Sequence, residues 1–238
     1  MNEYLGEFFG TMILILLGDG VVAGVLLNRT KAQNAGWMVV TTAWAFAVLF
    51  GILTAKAIGA KGFINPVGPF LEAINGNLPV DKALGLAGAE VLGAVAGAVL
   101  VWLHYLPHWA ETPDPGLKLG VFCTAPAIRN PAANVISEAL GTFVLVFVGT
   151  AITEKAVGAS LHDPVVAALV WGIGLSLGAT TGYAINPARD FGPRLAHALL
   201  PIPGKGPSDW GYAWVPVLGP LLGASVAALA VKQFMSSA

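Results

Sequence analysis

The stretch GYAINPARDFGPR, residues 182–194, places an Asn-Pro pair and three charged side chains directly after an apolar run. Arg189, Asp190 and Arg194 are unusual there, because ionisable side chains within a membrane face protein or a water-filled cavity. A second Asn-Pro pair lies at residues 65–66, in the sequence FINPV. The two pairs mark the places where the chain departs from a simple membrane-crossing pattern.

The composition is typical of an integral membrane protein. The chain has 238 residues, of which 56% are hydrophobic and 11% charged, whereas soluble domains carry about 25% charged residues. A bilayer span needs roughly 20 mainly apolar residues. Six stretches meet this requirement: 4–27, 36–58, 83–105, 132–153, 164–183 and 211–231. Their even apolar character favours helices over barrel strands, and the first is too long for a cleaved signal peptide.

The sequence argues against several classes of function. A net charge of −1 gives no basic field for nucleic acid. Cys123 is the single cysteine, and no zinc-ligand spacing or nucleophile–base pair suggests a metal, a cofactor or an enzyme. The sequence GDGVVAG at residues 18–24 looks like a nucleotide loop, but it lies inside a span with no preceding strand. We therefore expect neither catalysis nor nucleotide binding.

Two similar halves flank a proline-rich connection. GEFFGT at residues 6–11 opens the first half, and SEALGT at residues 137–142 opens the second. Three spans per half make the second half enter the membrane from the opposite side, which predicts an inverted repeat. The expected organisation is one transmembrane domain, 1–238, with repeat 1 at about 1–106, a linker at about 107–131 and repeat 2 at about 132–238.

Each Asn-Pro pair predicts the start of a short helix, because Asn favours the N-cap and Pro the first helical position. Helices at about 66–74 and 187–199 would cover roughly 14–20 Å, about half of a 30 Å hydrocarbon core. Inverted symmetry would bring their N-termini together, each with roughly half a positive charge. We expect Asn65 and Asn186 to offer amide N–H groups to a cavity that admits neutral hydrogen-bond acceptors and repels cations.

These motifs resemble those of the aquaporin family, and more closely its glycerol-facilitator branch, over nearly the whole chain. The resemblance implies an all-α aquaporin-like fold with six transmembrane helices and two re-entrant half-helices. It implies pore motifs at Asn65, Pro66, Val67, Asn186, Pro187 and Ala188. It implies a selectivity filter of Trp44, Gly182, Tyr183 and Arg189, and structural support from Glu7, Glu138 and Asp190. It also implies a homotetramer with one pore per subunit.

Several residues depart from the usual pattern of that family, among them Gly68-Pro69 in place of the usual Val-Thr. Val67 replaces the alanine of Asn-Pro-Ala, and Phe63 stands where many members have histidine. Glu90 lies in the third span, where an amide is common, and Asp19 lies in the first span. These departures leave the pore width and the main solute open.

The expected function is passive diffusion of small neutral solutes, chiefly glycerol and water, through a multi-pass protein of a bacterial cell membrane. Within the same mechanism, small undissociated acids such as lactic acid are an alternative main solute, and urea is a further candidate. A different class is a coupled secondary transporter, which also uses inverted repeats and half-helices. Asp19 and Glu90 would be its candidate ion or proton sites, but neither has a counterpart in the other half.

Overall fold

The computed structural model describes residues 1–155 and 161–235, and within these residues every regular element is helical. Five of the described helices are long and apolar enough to cross a membrane. The described helices in chain order are α1 (Asn2–Leu26), α2 (Trp37–Ile58), α3 (Val67–Ile74), α4 (Val80–His104), α5 (Leu106–Glu111), α6 (Pro115–Phe122), α7 (Pro131–Lys155), α8 (His162–Leu177), α9 (Pro187–Leu199) and α10 (Val215–Phe234).

The surface and the interior have the polarity expected of a membrane protein. Large apolar side chains face outward on several helices, including Leu84, Leu92 and Leu229. Charged side chains such as Glu7 and Arg194 are instead almost completely buried. Lipid solvates the apolar exterior, and buried ionised groups require partners inside the bundle.

Two helix pairs pack through direct backbone contact. A Cβ atom on Gly93 of α4 would lie 2.1 Å from the carbonyl oxygen of Phe8 in α1. A Cβ atom on Gly223 of α10 would likewise lie 2.1 Å from the carbonyl oxygen of Ala139 in α7. Such close approach is possible only at glycine, and small residues are the usual interface of membrane helices. The two halves of the chain therefore use the same contact at matching positions.

The fifth predicted span, 164–183, is wrong at its C-terminal end. α8 ends at Leu177 and has 16 residues, which corresponds to about 24 Å. Gly182 then adopts a φ of 84° and donates its N–H to the carbonyl of Gly178. The chain between α8 and Asn186 is not helical, and Tyr183 and Ile185 also have positive φ values there.

The predicted linker, at about 107–131, contains short helices. These are α5 and α6, and Asp114 is the N-cap of α6: its Oδ1 accepts a hydrogen bond of 2.7 Å from the N–H of Gly116. α6 contacts both α1 and α9.

The sixth predicted span starts later than predicted, because α10 begins at Val215 rather than at residue 211.

The two short helices α3 and α9 begin at the Asn-Pro pairs. Asn186 caps α9, since its Oδ1 accepts from the N–H groups of Ala188 at 3.0 Å and Arg189 at 3.2 Å. α3 starts at Val67, one residue later than predicted. The N–H of Val67 donates to Asn65 Oδ1 at 3.1 Å. With 8 and 13 residues, neither helix is long enough to cross a membrane.

Candidate functional site

The two Asn-Pro segments meet through reciprocal hydrogen bonds. Asn65 Nδ2 donates to the carbonyl of Ile185 at 2.9 Å, and Asn186 Nδ2 donates to the carbonyl of Ile64 at 2.7 Å. An amide nitrogen carries two N–H groups. Each asparagine can therefore donate one across the junction and offer the other to the cavity that both asparagines line.

Glu7 holds the segment before the first pair. Its Oε1 accepts from the N–H groups of Gly62 at 2.9 Å and Phe63 at 3.0 Å, and its Oε2 accepts from Ile64 at 2.8 Å. Ile64 has a φ of 45°, a conformation that is strained for a β-branched residue. Successive N–H groups that converge on one carboxylate form an anion-binding concavity. The carbonyl of Ile64 accepts from Asn186 and not from Glu7.

Glu138 makes the corresponding contacts in the second half. Its two oxygens accept from the N–H of Ala184 at 3.0 Å and of Ile185 at 2.8 Å. Tyr183 and Ile185 have φ values of 39° and 43°. A buried carboxylate again fixes a strained segment, and both segments line the same cavity.

Three of the predicted filter residues, Trp44, Tyr183 and Arg189, line this cavity. The Arg189 guanidinium carbon lies 4.3 Å from the ring centroid of Trp44, which is a cation–π distance. Arg189 also donates to the carbonyl of Phe122 at 3.5 Å. The fourth predicted residue, Gly182, is absent from the described cavity lining and instead supplies a left-handed backbone conformation.

Space for the ring of Tyr183 is created by glycine. A Cβ atom on Gly178 would lie 2.5 Å from the Tyr183 ring, and one on Gly174 would lie 2.9 Å from it. Trp37 packs edge-on against Tyr183 at 5.8 Å between ring centroids. Trp37 was not among the predicted residues, and its position at the start of α2 gave no signal of this contact.

Asp190 and Arg194 lie next to the cavity without lining it. Both are fully buried, and Arg194 Nε and Nη2 donate to the two carboxylate oxygens of Asp190 at 2.7 and 2.9 Å. Asp190 Oδ2 also accepts from the N–H of Thr124 at 2.8 Å and from its hydroxyl at 2.7 Å. Arg194 Nη1 donates to the carbonyls of Ser208 and Asp209. This cluster joins α9 to the linker and to the segment before α10.

The cavity has a volume of about 250 Å³, and its lining contains both polar and apolar groups. The polar lining residues include both asparagines and Arg189, and the non-helical segments 62–64 and 183–185 line the cavity as well. The apolar lining residues include Leu14, Val48, Ile52, Val166 and Val170. Lys56, Lys61 and His162 line the end remote from Trp44 and Arg189. The arrangement can hold a solute that has hydroxyl groups on one side and carbon on the other.

The unusual residues around the first Asn-Pro pair fit one another. Val67 is buried and lines the cavity. A Cβ atom on Gly68 would lie 2.5 Å from the ring of Phe63. The aromatic ring at the position of the usual histidine therefore requires glycine in the following half-helix.

Comparison with known proteins identifies the family of the chain. The sequence profile described as "Major intrinsic protein" matches residues 1–231. The chain is 53% identical over 224 residues to a probable glycerol uptake facilitator protein of Thermotoga maritima, covering 94% of this chain and 95% of that one. It is 53% identical over 227 residues to glycerol uptake facilitator protein 3 of Lactiplantibacillus plantarum, covering 95% and 94%.

A solved structure, that of the aquaglyceroporin from Plasmodium falciparum, matches with a TM-score of 0.87. It covers 99% of this chain and 97% of its own at 24% identity, so it supports the fold alone. The predicted all-α, aquaporin-like fold and the multi-pass membrane location are confirmed. The chain belongs to the major intrinsic protein family of membrane channels, in its glycerol-facilitator branch.

Proposed function

We propose that the cavity is a pore for passive diffusion of small neutral solutes, chiefly glycerol and water. The observation that carries the proposal is the presence of both polar and apolar residues in the lining of one cavity. A polyol can exchange hydrogen bonds with the polar residues while its carbon atoms contact the apolar ones. Family membership supports a channel rather than an enzyme.

The filter in this proposal is formed by Trp44, Tyr183 and Arg189, with Gly182 shaping the backbone. The carbon edge of a solute would rest on the indole of Trp44, and its hydroxyl groups would accept from the guanidinium of Arg189. Apolar bodies with a few placed polar groups are typical of small-molecule sites. This combination favours a three-carbon polyol over an ion.

At the centre, the pore motifs Asn65-Pro66-Val67 and Asn186-Pro187-Ala188 would orient each solute and exclude cations. Two helix N-termini meet there, and the positive end of each helix dipole disfavours a cation. Glu7, Glu138 and Asp190 would serve as structural support.

A coupled secondary transporter is less well supported. Asp19 and Glu90, its candidate ion sites, are both fully buried, and neither is among the described residues that line the cavity. An ion that moves with the solute would need access to such a carboxylate. We therefore favour a channel without coupling.

The solute class is tested by stopped-flow light scattering on proteoliposomes. Glycerol, water, urea and lactic acid at low pH are compared at equal protein density, with protein-free vesicles as the control. We expect glycerol permeability well above the protein-free value and above that of lactic acid. A higher permeability for lactic acid than for glycerol would make undissociated acids the main solute instead.

The filter is tested by Trp44→Ala. Loss of the indole should widen the cavity at this position, so that five-carbon polyols gain permeability relative to glycerol by roughly tenfold. Trp171→Ala in α8 is the matched control, because this tryptophan is partly exposed and does not line the described cavity. Equal selectivity in the two variants would remove Trp44 from the filter.

We further propose that the chain is one transmembrane domain of two repeats, at about 1–106 and 132–238, and that it assembles as a homotetramer in the bilayer. The matching contacts of Gly93 and Gly223 within the chain support the two repeats. The family resemblance supports the homotetramer. Native mass spectrometry in detergent checks the assembly: a mass of four chains is expected, and a monomer would contradict it.

A further inference from the structure

The sequence Gly18-Asp19-Gly20 in α1 has no role in the pore described so far. Asp19 is fully buried, and within residues 1–155 and 161–235 neither of its carboxylate oxygens has a hydrogen-bond partner. A buried carboxylate in that situation is costly unless a cation compensates it. Glu90 in α4 shares both properties, so burial alone does not distinguish Asp19.

The neighbour that distinguishes Asp19 is the arginine of the filter. Arg189 Nη1 lies 3.7 Å from Asp19 Oδ1, beyond a hydrogen bond but within ion-pair distance. The guanidinium of Arg189 is thus flanked by this carboxylate and by the ring of Trp44. Its hydrogen bond to Phe122 is long, at 3.5 Å, so that contact alone holds the side chain weakly.

Gly18, the residue before Asp19, contributes to the same place. A Cβ atom on Gly18 would lie 2.4 Å from ring atoms of Trp44. Any other side chain at this position would therefore collide with the indole. Gly18 leaves space for Trp44, and Asp19 faces Arg189. This turn of α1 therefore packs against two residues of the proposed filter.

We propose that Asp19 is a positioning residue of the selectivity filter that holds the Arg189 guanidinium back against Trp44. This inference rests on the proposed function. In a site with little water, attraction between opposite charges at this separation strongly favours one guanidinium position. With the guanidinium held back, the lumen stays wide enough for a polyol, and the positive charge of the filter is balanced.

The test is Asp19→Asn, which keeps the shape of the side chain and removes its charge. The unbalanced guanidinium should move into the lumen and obstruct glycerol more than the smaller water molecule. We expect the ratio of glycerol to water permeability to fall by about threefold or more, as is usual for coupled contacting residues. Glu3→Gln is the control: it removes a carboxylate charge from the same helix, in an exposed ion pair with Lys82, and should leave the ratio unchanged.

A second background separates positioning from a general structural role. In the Arg189→Ala variant, adding Asp19→Asn should cause no further change in the ratio of glycerol to water permeability, because the group on which Asp19 acts is gone. An equal fall in both backgrounds, or an unchanged ratio in Asp19→Asn alone, would contradict the proposal. If Asp19→Asn fails to assemble and the double variant assembles, the pairing is supported; if neither assembles, the proposal is wrong. Wild-type protein that passes no glycerol would instead refute the proposed function.

Discussion

Arg194→Met should destabilise the folded channel by about 3–5 kcal/mol, the usual cost of removing one partner of a buried ion pair. Asp190 would keep its contacts with Thr124 but would lose both bonds from the guanidinium. The carbonyls of Ser208 and Asp209 would lose a donor as well. The measurement is the free energy of unfolding in detergent by denaturant titration.

Arg29→Met is the control for loss of an arginine. Arg29 pairs with Glu111 at 2.7 Å, but both side chains are largely exposed, so the expected loss is at most about 1 kcal/mol. Adding Asp190→Asn to Arg194→Met should restore part of the stability, because it removes the uncompensated charge. Equal losses in Arg194→Met and Arg29→Met would mean that the buried cluster contributes little.

Glu7→Gln should lower glycerol permeability by at least about tenfold, because its amide leaves at least one backbone N–H unpaired, at roughly 1–3 kcal/mol for each such group. The carboxylate accepts from three successive N–H groups, and one of them belongs to Ile64 in a strained conformation. A glutamine turns an N–H₂ group toward part of this set. The segment should relax and move the carbonyl of Ile64 away from Asn186.

The control for Glu7→Gln lies on the same helix. Glu3 forms an exposed ion pair with Lys82 at 2.5 Å, so Glu3→Gln makes the same chemical change outside the pore. We expect wild-type flux from Glu3→Gln at equal amounts of assembled protein. Normal conduction by assembled Glu7→Gln would show that the segment keeps its conformation without the carboxylate.

Local signals in the sequence were sufficient to predict the two half-helices. Asn caps and Pro at the first turn act within a few residues, and α9 begins at Pro187 and ends at Leu199, where it was expected. The first half-helix starts one residue late because Pro66 serves as its N-cap. The apolar runs predicted the long helices because a helix that faces lipid must be mainly apolar along its whole length.

Features that depend on distant partners could not be predicted. α8 ends at Leu177, and the residues before Asn186 are held in a non-helical conformation by Glu138, more than 40 residues earlier in the chain. The partners of Asp190 include Thr124, 66 residues away. No local pattern encodes such a pairing. Asp19 gave a signal as a charge within a span, but only the folded structure places it beside Arg189.

The most direct test of a passive pore is the kinetics of glycerol flux in proteoliposomes of the wild-type chain. A channel predicts a rate that rises linearly with the glycerol gradient and does not change when a proton or sodium gradient is imposed or collapsed. Loss of flux in Glu7→Gln and normal flux in Glu3→Gln would assign this rate to the cavity. A rate that saturates and requires an ion gradient would contradict the account and identify a coupled transporter.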